Sequence, residues 1–463
     1  MSKDMKKPSS WRIASITIFV LITLISLLNV KKGPGGVDCW YHMAVARNIL
    51  SKRRIPLYAD WEYYPVGRPH LYPPFLHSCV ALLSIPFRGN VLAGGKVFNA
   101  LMLPISTALA ILGFSRIYKD PWREFLALII LCMDPIFFGV HRGLLPSVLA
   151  SAFAFLALAY FYERNLYPCV LMMTLCLYTH LGIPYLFLLG LFIFSTINRE
   201  YLSFYGRFFL ASMVLFSPWG LHVLSNFDWI EFGFRLVRGD RPIVISIITV
   251  LGFLGALIAI GKRELPGLLA LSCLLGFSPA FILYGRRFWA HSSLLWAMLA
   301  STPLYSISKG RKIRKLVIAL LILILSLLFQ PGILLSKMGV RKGWFPGGLR
   351  EEIELLSGGD YSMLGEDVKT IVRIINSEFK ELEAVHVNRG WVGEMLYVFT
   401  GKKTDLAMYG EVMDPILYKP VLEKIKYERP ALFVFLREGG RYDLPNNLDE
   451  VHVIGRFYLG VRW

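Results

Sequence analysis

A succession of apolar runs, most of them about long enough to cross a hydrocarbon layer of roughly 30 Å, constrains this chain more than any other feature. They fall near residues 11–30, 95–115, 124–140, 147–162, 166–180, 183–197, 208–225, 242–260, 265–284, 289–307 and 315–335. A soluble core could not house them, since 55% of the 463 residues are hydrophobic and the mean hydropathy is +0.52. The expected fold is a polytopic α-helical membrane protein with about eleven transmembrane helices. The first run follows Lys3, Lys6, Lys7 and Arg12. That basic start resembles a signal peptide, but the run is long enough to span and lacks a small-residue cleavage site, so it reads as an uncleaved helix.

The formal charge of +18 does not imply nucleic acid. The basic residues are scattered through connectors between apolar runs, where membrane topology and anionic lipid head groups account for them. Leu71 to Phe87 is punctuated by Pro73, Pro74 and Pro86. Placed as an interfacial or re-entrant helix in the first outer loop, it brings the charges into register. The N-tail, 116–123, Arg164, 198–207, Lys262-Arg263 and 309–315 are then all cytoplasmic and all basic. An odd number of spans leaves residues 336–463 outside. This tail loses the long apolar runs; helical periodicity near 365–379 alternates with strand-like runs at Glu383–Val387, Ala431–Leu436 and Val451–Val461. The expected organisation is a transmembrane part, 1–335, and a small extracytoplasmic α/β domain, 336–463, in a multi-pass cell-membrane protein with a cytoplasmic N-terminus. The six cysteines contain no Cys-x-x-Cys pair, so neither a disulfide framework nor a zinc site is indicated. Cys39 and Cys79 are the two that can meet on the oxidising side.

Asp38-Cys39-Trp40-Tyr41-His42 follows the first span. An ionisable group near bilayer depth is a functional candidate. Asp38 also suits the cap of a helix running from about Trp40 to Leu50, and the two roles are compatible. By the same topology His42, His70, His77, His141, His180, His222 and His291 fall on the outer side and His386 and His452 in the outer domain. They read either as interface residues or as parts of a polar outer cavity.

The Asp38–His42 motif, a long proline-rich outer loop, and then Asp134-Pro135 through His141-Arg142-Gly143 at the outer end of a span resemble the catalytic subunit of archaeal and bacterial oligosaccharyltransferases, members of the C-type glycosyltransferases. Arg286-Arg287-Phe288-Trp289 in a late span, and Gly390-Trp391 followed by Thr400-Gly401-Lys402-Lys403 in a C-terminal domain, stand in the order of that family. The resemblance implies that Asp38 lies at the acceptor and metal site, orienting or deprotonating a weak nucleophile. It implies that Arg287, beside Arg286, faces the phosphate of a polyprenyl-linked donor, for which a guanidinium fork is suited. Two arginines snorkelling to the interface are the alternative. A mobile loop that carries a glutamate into the family's active site would correspond to Asn226–Arg241 and Glu231; a solvated linker is its other reading.

Two departures from the family matter. The acidic pair expected after the Arg-Gly region is replaced by Gly143-Leu144-Leu145-Pro146, and a divalent ion such as magnesium or manganese needs several hard oxygen ligands. Asp60, Glu62, Asp228, Glu231 and Asp240 are the carboxylates available to compensate. The Trp-Trp-Asp-Tyr-Gly signature that reads the glycosylation sequon is also missing, with His386-Val387-Asn388-Arg389-Gly390-Trp391 in its place; Trp391 and Tyr397 read as core residues.

The resulting expectation is a membrane glycosyltransferase that takes sugar from a polyprenyl-phosphate-linked donor at the extracytoplasmic face. Asp38 is the base, Arg287 the phosphate clamp, and Trp40, Tyr41, His42, His141 and Arg142 line the cavity. Its partners are the lipid-linked donor, membrane lipid and an acceptor, not nucleic acid. The rivals are a true oligosaccharyltransferase acting on asparagine sequons, a non-catalytic lipid-binding or assembly subunit, and a transporter. For the last, no broken half-helix pair or internal repeat is visible.

Overall fold

The computed structural model describes residues 9–28, 30, 38–141, 143–229, 247–309, 314, 315, 317, 318, 365–406, 430–437, 445 and 448–462. Among these the chain is mostly helical, with several apolar helices and a small C-terminal mixed sheet. It divides into two compact units. One draws on Met1–Val30, Ala100–Ser217 and Phe234–Gly359, the other on Lys31–Asn99, Pro218–Gly233 and Asp360–Trp463.

The first unit holds α1 (Ser10–Leu28), most of α4 (Val91–Ile117) and of α10 (Leu202–Ser225), and α5 (Pro121–Cys132), α6 (Pro135–His141), α7 (Pro146–Tyr162), α8 (Leu166–Leu177), α9 (Ile183–Ile197), α11 (Ile247–Lys262), α12 (Leu265–Gly276) and α13 (Ser278–Ser308). By length and composition α1, α4 and the segment Arg199–Ser225 can each cross a membrane; α7, α8, α9 and α12 are shorter apolar helices. Proline sets several starts, at Pro121, Pro146, Pro184, Pro266 and Pro279, where its missing N–H removes no helical bond.

Two apolar runs are not the single spans expected of them. The run at 124–140 is broken between α5 and α6, because Pro135 disfavours a helical Asp134, whose carboxylate instead accepts the Ile136 N–H at 3.0 Å. The run at 265–284 ends at Gly276, and its remainder joins the next run in the 31-residue α13. The run at 315–335 lies outside the described residues except for its first few. Close helix crossing explains Gly190 and Gly276: a Cβ on Gly190 would run into the Cys273 backbone, and one on Gly276 would lie 2.5 Å from the Leu186 carbonyl oxygen.

In the second unit α2 (Asp38–Lys52) leads through the short antiparallel pair β1 (Tyr58–Ala59) and β2 (Arg68–Pro69) to α3 (Phe75–Ser84) and a 3-10 turn, Ile85–Phe87. The C-terminal residues add α14 (Glu366–Glu378), β3 (Ala384–Val387), α15 (Gly390–Thr400), β4 (Lys403–Thr404), β5 (Ala431–Leu436), β6 (Glu450–Ile454) and β7 (Phe457–Arg462). The sheet order is β4-β3-β5-β7-β6, with β3 parallel to β4 and β5, and β7 antiparallel to β5 and β6. The strand expected over Val451–Val461 is a hairpin: Gly455 has φ +55 and turns the chain back.

The first loop and the sheet belong to one fold. The Thr404 N–H donates to the Trp61 carbonyl at 2.8 Å and the Tyr64 N–H to the Thr404 carbonyl at 2.9 Å, so the loop satisfies the edge of β4. Trp61 stacks on Tyr397 with centroids 4.7 Å apart, and Trp40 packs on Phe399 at 5.9 Å.

Candidate functional site

Helix α2 begins at Asp38, two residues before the expected start, so the carboxylate sits in its first turn, where the positive end of the helix dipole favours it. Asp38 is half-buried, while Cys39 through Ala46 are all buried. Burial, and then the charges of Asp38 and Glu394, push the Cys39 thiol up. Cys39 and Cys79 are both free thiols.

Beneath the motif lies a buried polar network. Arg68 Nε donates to Glu62 Oε1 at 2.9 Å, both side chains being 0% exposed. Arg68 Nη2 donates to the Tyr41 hydroxyl at 3.3 Å, and that hydroxyl lies 3.4 Å from His70 Nδ1. His42 Nδ1 and His77 Nε2 share a hydrogen bond of 2.9 Å. His222 at the end of α10 donates from Nε2 to the His70 carbonyl at 3.0 Å. Two of these imidazoles are held neutral: burial lowers His77 to about 3, and burial, followed by His77, Arg68 and His222, holds His70 well below the ordinary histidine range.

In the first unit His141 ends α6, buried, with its ring 4.2 Å from that of Phe137. It lies within electrostatic reach of His291 on α13. Arg286 and Arg287 stand on α13, and position 287 is one helical turn before His291, on the same face. Leu144 is fully buried and Leu145 is the residue from which α7 starts, so those two positions shape the helix entry. Arg142 and Glu231 lie outside the described residues.

Of the carboxylates that could compensate for the missing acidic pair, Asp60 and Glu62 are described, and each is engaged by a basic side chain, while Glu231 and Asp240 and the side chain of Asp228 lie outside the description. Glu62 is committed to Arg68 and Asp60 to Lys52 at 2.8 Å. Among the described residues no group of three or more His, Cys, Asp or Glu side chains could hold a metal ion.

The C-terminal motif residues are engaged within their own fold. His386 Nδ1 lies 3.3 Å from Asp405 Oδ2, and Asn388 bridges to the Leu436 backbone through both ends of its amide. Lys402 donates from Nζ to the carbonyls of Lys380 and Leu382. Tyr397 is buried on α15 and Trp391 half-buried. Sequence reasoning passed over Arg68, Glu394 and Asp405. The sequence carries no signal for them, since an arginine beside Pro69 in a loop reads as solvated until its partner is known.

No family model and no curated protein matches the chain. Solved structures do. Over 92% of this chain and 70% of the other, it superposes on the apo oligosaccharyltransferase of Archaeoglobus fulgidus with a TM-score of 0.62 and 12% identity. The same archaeal protein, AglB, in complex with an inhibitory peptide and a dolichol-phosphate gives 0.62 and 13% over 93% of this chain and 70% of that one. ArnT from Cupriavidus metallidurans bound to undecaprenyl phosphate is matched over 97% of this chain and 98% of the other, with a TM-score of 0.57 and 14% identity. The fold is therefore like that of these two proteins, a C-type glycosyltransferase-like fold.

Proposed function

We propose that this protein is a membrane glycosyltransferase that transfers a sugar or oligosaccharide from a polyprenyl-phosphate-linked donor to an acceptor at the extracytoplasmic face. The observation that carries the reading is the shared fold of two proteins captured with a polyprenyl phosphate, one with dolichol-phosphate and one with undecaprenyl phosphate. In this reading residues 1–335 form the transmembrane part with a cytoplasmic N-terminus, and 336–463 are extracytoplasmic. Asp38, in the first turn of α2, takes the acceptor proton. Arg287, with Arg286, faces the donor phosphate, and Arg142 and Glu231 complete the cavity. Trp40, Tyr41 and His42 of the second unit and His141 of the first, which the resemblance gives as lining residues, are each buried. No step is routed through a metal.

The test is Asp38→Asn in the full chain, reconstituted in lipid. The variant keeps shape and capping ability and removes the base. Single-turnover transfer from dolichyl- or undecaprenyl-phosphate-linked sugar should fall by roughly 100-fold or more with unchanged thermal stability. Transfer at the wild-type rate sinks the assignment. Arg287→Ala should instead weaken donor binding, by about 1.5–3 kcal/mol for a charged hydrogen bond, with lysine restoring part of it.

The leucines at 144 and 145 favour a second reading, a non-catalytic binder of the same lipid phosphate. It predicts donor binding that Arg287→Ala weakens and no transfer by the wild type. A true oligosaccharyltransferase would glycosylate a sequon peptide, against which the structural roles of His386 and Asn388 speak.

A further inference from the structure

We propose that Arg68 and His77 are positioning residues for the first turn of α2, and that the network they anchor fixes the direction in which Asp38 is presented; the functional half of this rests on Asp38 being the base. Positions 38, 41 and 42 stand at i, i+3 and i+4, on one helix face. Both network contacts fall on that face. Tyr41 is held by Arg68 at 3.3 Å and His42 by His77 at 2.9 Å.

The holders come from two separate elements. Arg68 lies in β2, paired with Ala59 of β1, and His77 lies in α3. Neither is more than 0% exposed, so neither can touch substrate, and their action must pass through α2. Arg47 ties the middle of α2 to the Val398 carbonyl at 2.6 Å; at the first turn, apolar packing alone would tolerate small rotations, whereas one residue of helix rotation turns a side chain by about 100°. Hydrogen bonds to Tyr41 and His42 remove that freedom.

The ion pair behind Tyr41 fits this role better than a stabilising one. Sealing a guanidinium and a carboxylate from water costs about as much as their attraction returns. What the pair does supply is direction: Glu62 fixes the plane of the Arg68 fork at 2.9 Å, and the fork fixes the Tyr41 hydroxyl.

Cys39, next to Asp38 and 1% exposed, reports the seating of this turn. The experiment uses the full chain in lipid nanodiscs in two single-thiol forms, one retaining Cys39 and one retaining Cys273 of the first unit. Replacing the pair together, Glu62→Gln with Arg68→Met, avoids leaving a buried charge alone. N-ethylmaleimide labelling of Cys39 should quicken by about 10-fold, the effect of losing one buried hydrogen bond, while Cys273 keeps its rate. Arg68→Lys should recover part of the protection, since it restores a donor without the fork, and His77→Gln should act in the same direction as the double variant. On the donor used for Asp38, kcat should fall with KM unchanged. Equal acceleration of both thiols would reveal general destabilisation, and an unchanged Cys39 rate would show that the network does not seat α2; either overturns the proposal. Normal turnover by Asp38→Asn, with Cys39 still freed by the double variant, would remove the base assignment and leave the seating of α2 standing.

Discussion

Arg47 donates a 2.6 Å hydrogen bond from Nη1 to the carbonyl of Val398, joining the middle of α2 to the last turn of α15. The guanidinium meets a helix C-terminus, where unsatisfied carbonyls and the negative end of the dipole welcome a cation. It also lies 5.9 Å from the Tyr397 ring centroid. Because the site is part-buried, Arg47→Met should destabilise the second unit by about 1–2 kcal/mol, toward the lower part of the range for charged hydrogen bonds. Chemical denaturation followed by Trp fluorescence checks it, and an unchanged midpoint would show the contact to be idle.

Acid should loosen the network around Tyr41. His77 titrates near 6.5 when unfolded and is lowered to about 3 by burial, so between those values the unfolded chain binds a proton that the folded chain refuses. Stability is therefore full above pH 6.5 and declines as pH falls toward 3. His70 is shifted the same way and steepens the decline. A His77→Gln variant should lose stability at neutral pH but show a shallower fall between pH 6.5 and 4; parallel curves for variant and wild type would exclude His77 as a source of the slope.

Topology predicts opposite behaviour for two exposed positions. Lys119 lies in a basic connector assigned to the cytoplasm and His452 on β6 in the part assigned outside. In intact cells a membrane-impermeant maleimide should label His452→Cys and spare Lys119→Cys. The reverse pattern would invert the orientation of the whole chain.

Chelation should affect transfer only weakly. Leu144 and Leu145 offer no oxygen ligand, and Glu62 is held by Arg68. If a chelator stops transfer and manganese or magnesium restores it, other carboxylates have taken over from positions 144 and 145 and the prediction fails.

The membrane class was legible because the hydrocarbon core dictates long apolar runs, and α7 and α9 follow theirs closely, while α10 starts six residues before its run. What the pattern could not show was how the runs divide. Asp134-Pro135 and Phe277 are short interruptions inside apolar sequence, and hydropathy averages across them. In the C-terminal part, alternation marks β3 and β5, but the turn at Gly455 leaves the apolar pattern continuous across β6 and β7. The pairing of Thr404 with Trp61 left no local sign, since a backbone hydrogen bond between distant segments imposes no residue type. The same limit applies to Arg68: nothing near it in sequence says that its charge is buried.

Contacts such as Arg47 with Val398 span 351 positions, which sets an order of events during synthesis. At 5–20 residues per second, roughly 20–70 s separate the appearance of α2 from that of its partner helix. Throughout that interval the Asp38 turn lacks α15, and β4 has not arrived to receive Tyr64. The loop is thus an unfinished surface while the membrane helices are being inserted, and it closes only when the last third of the chain has been delivered. A ribosome stalled before residue 390 would leave the Asp38 turn without the helix and strand that pack against it.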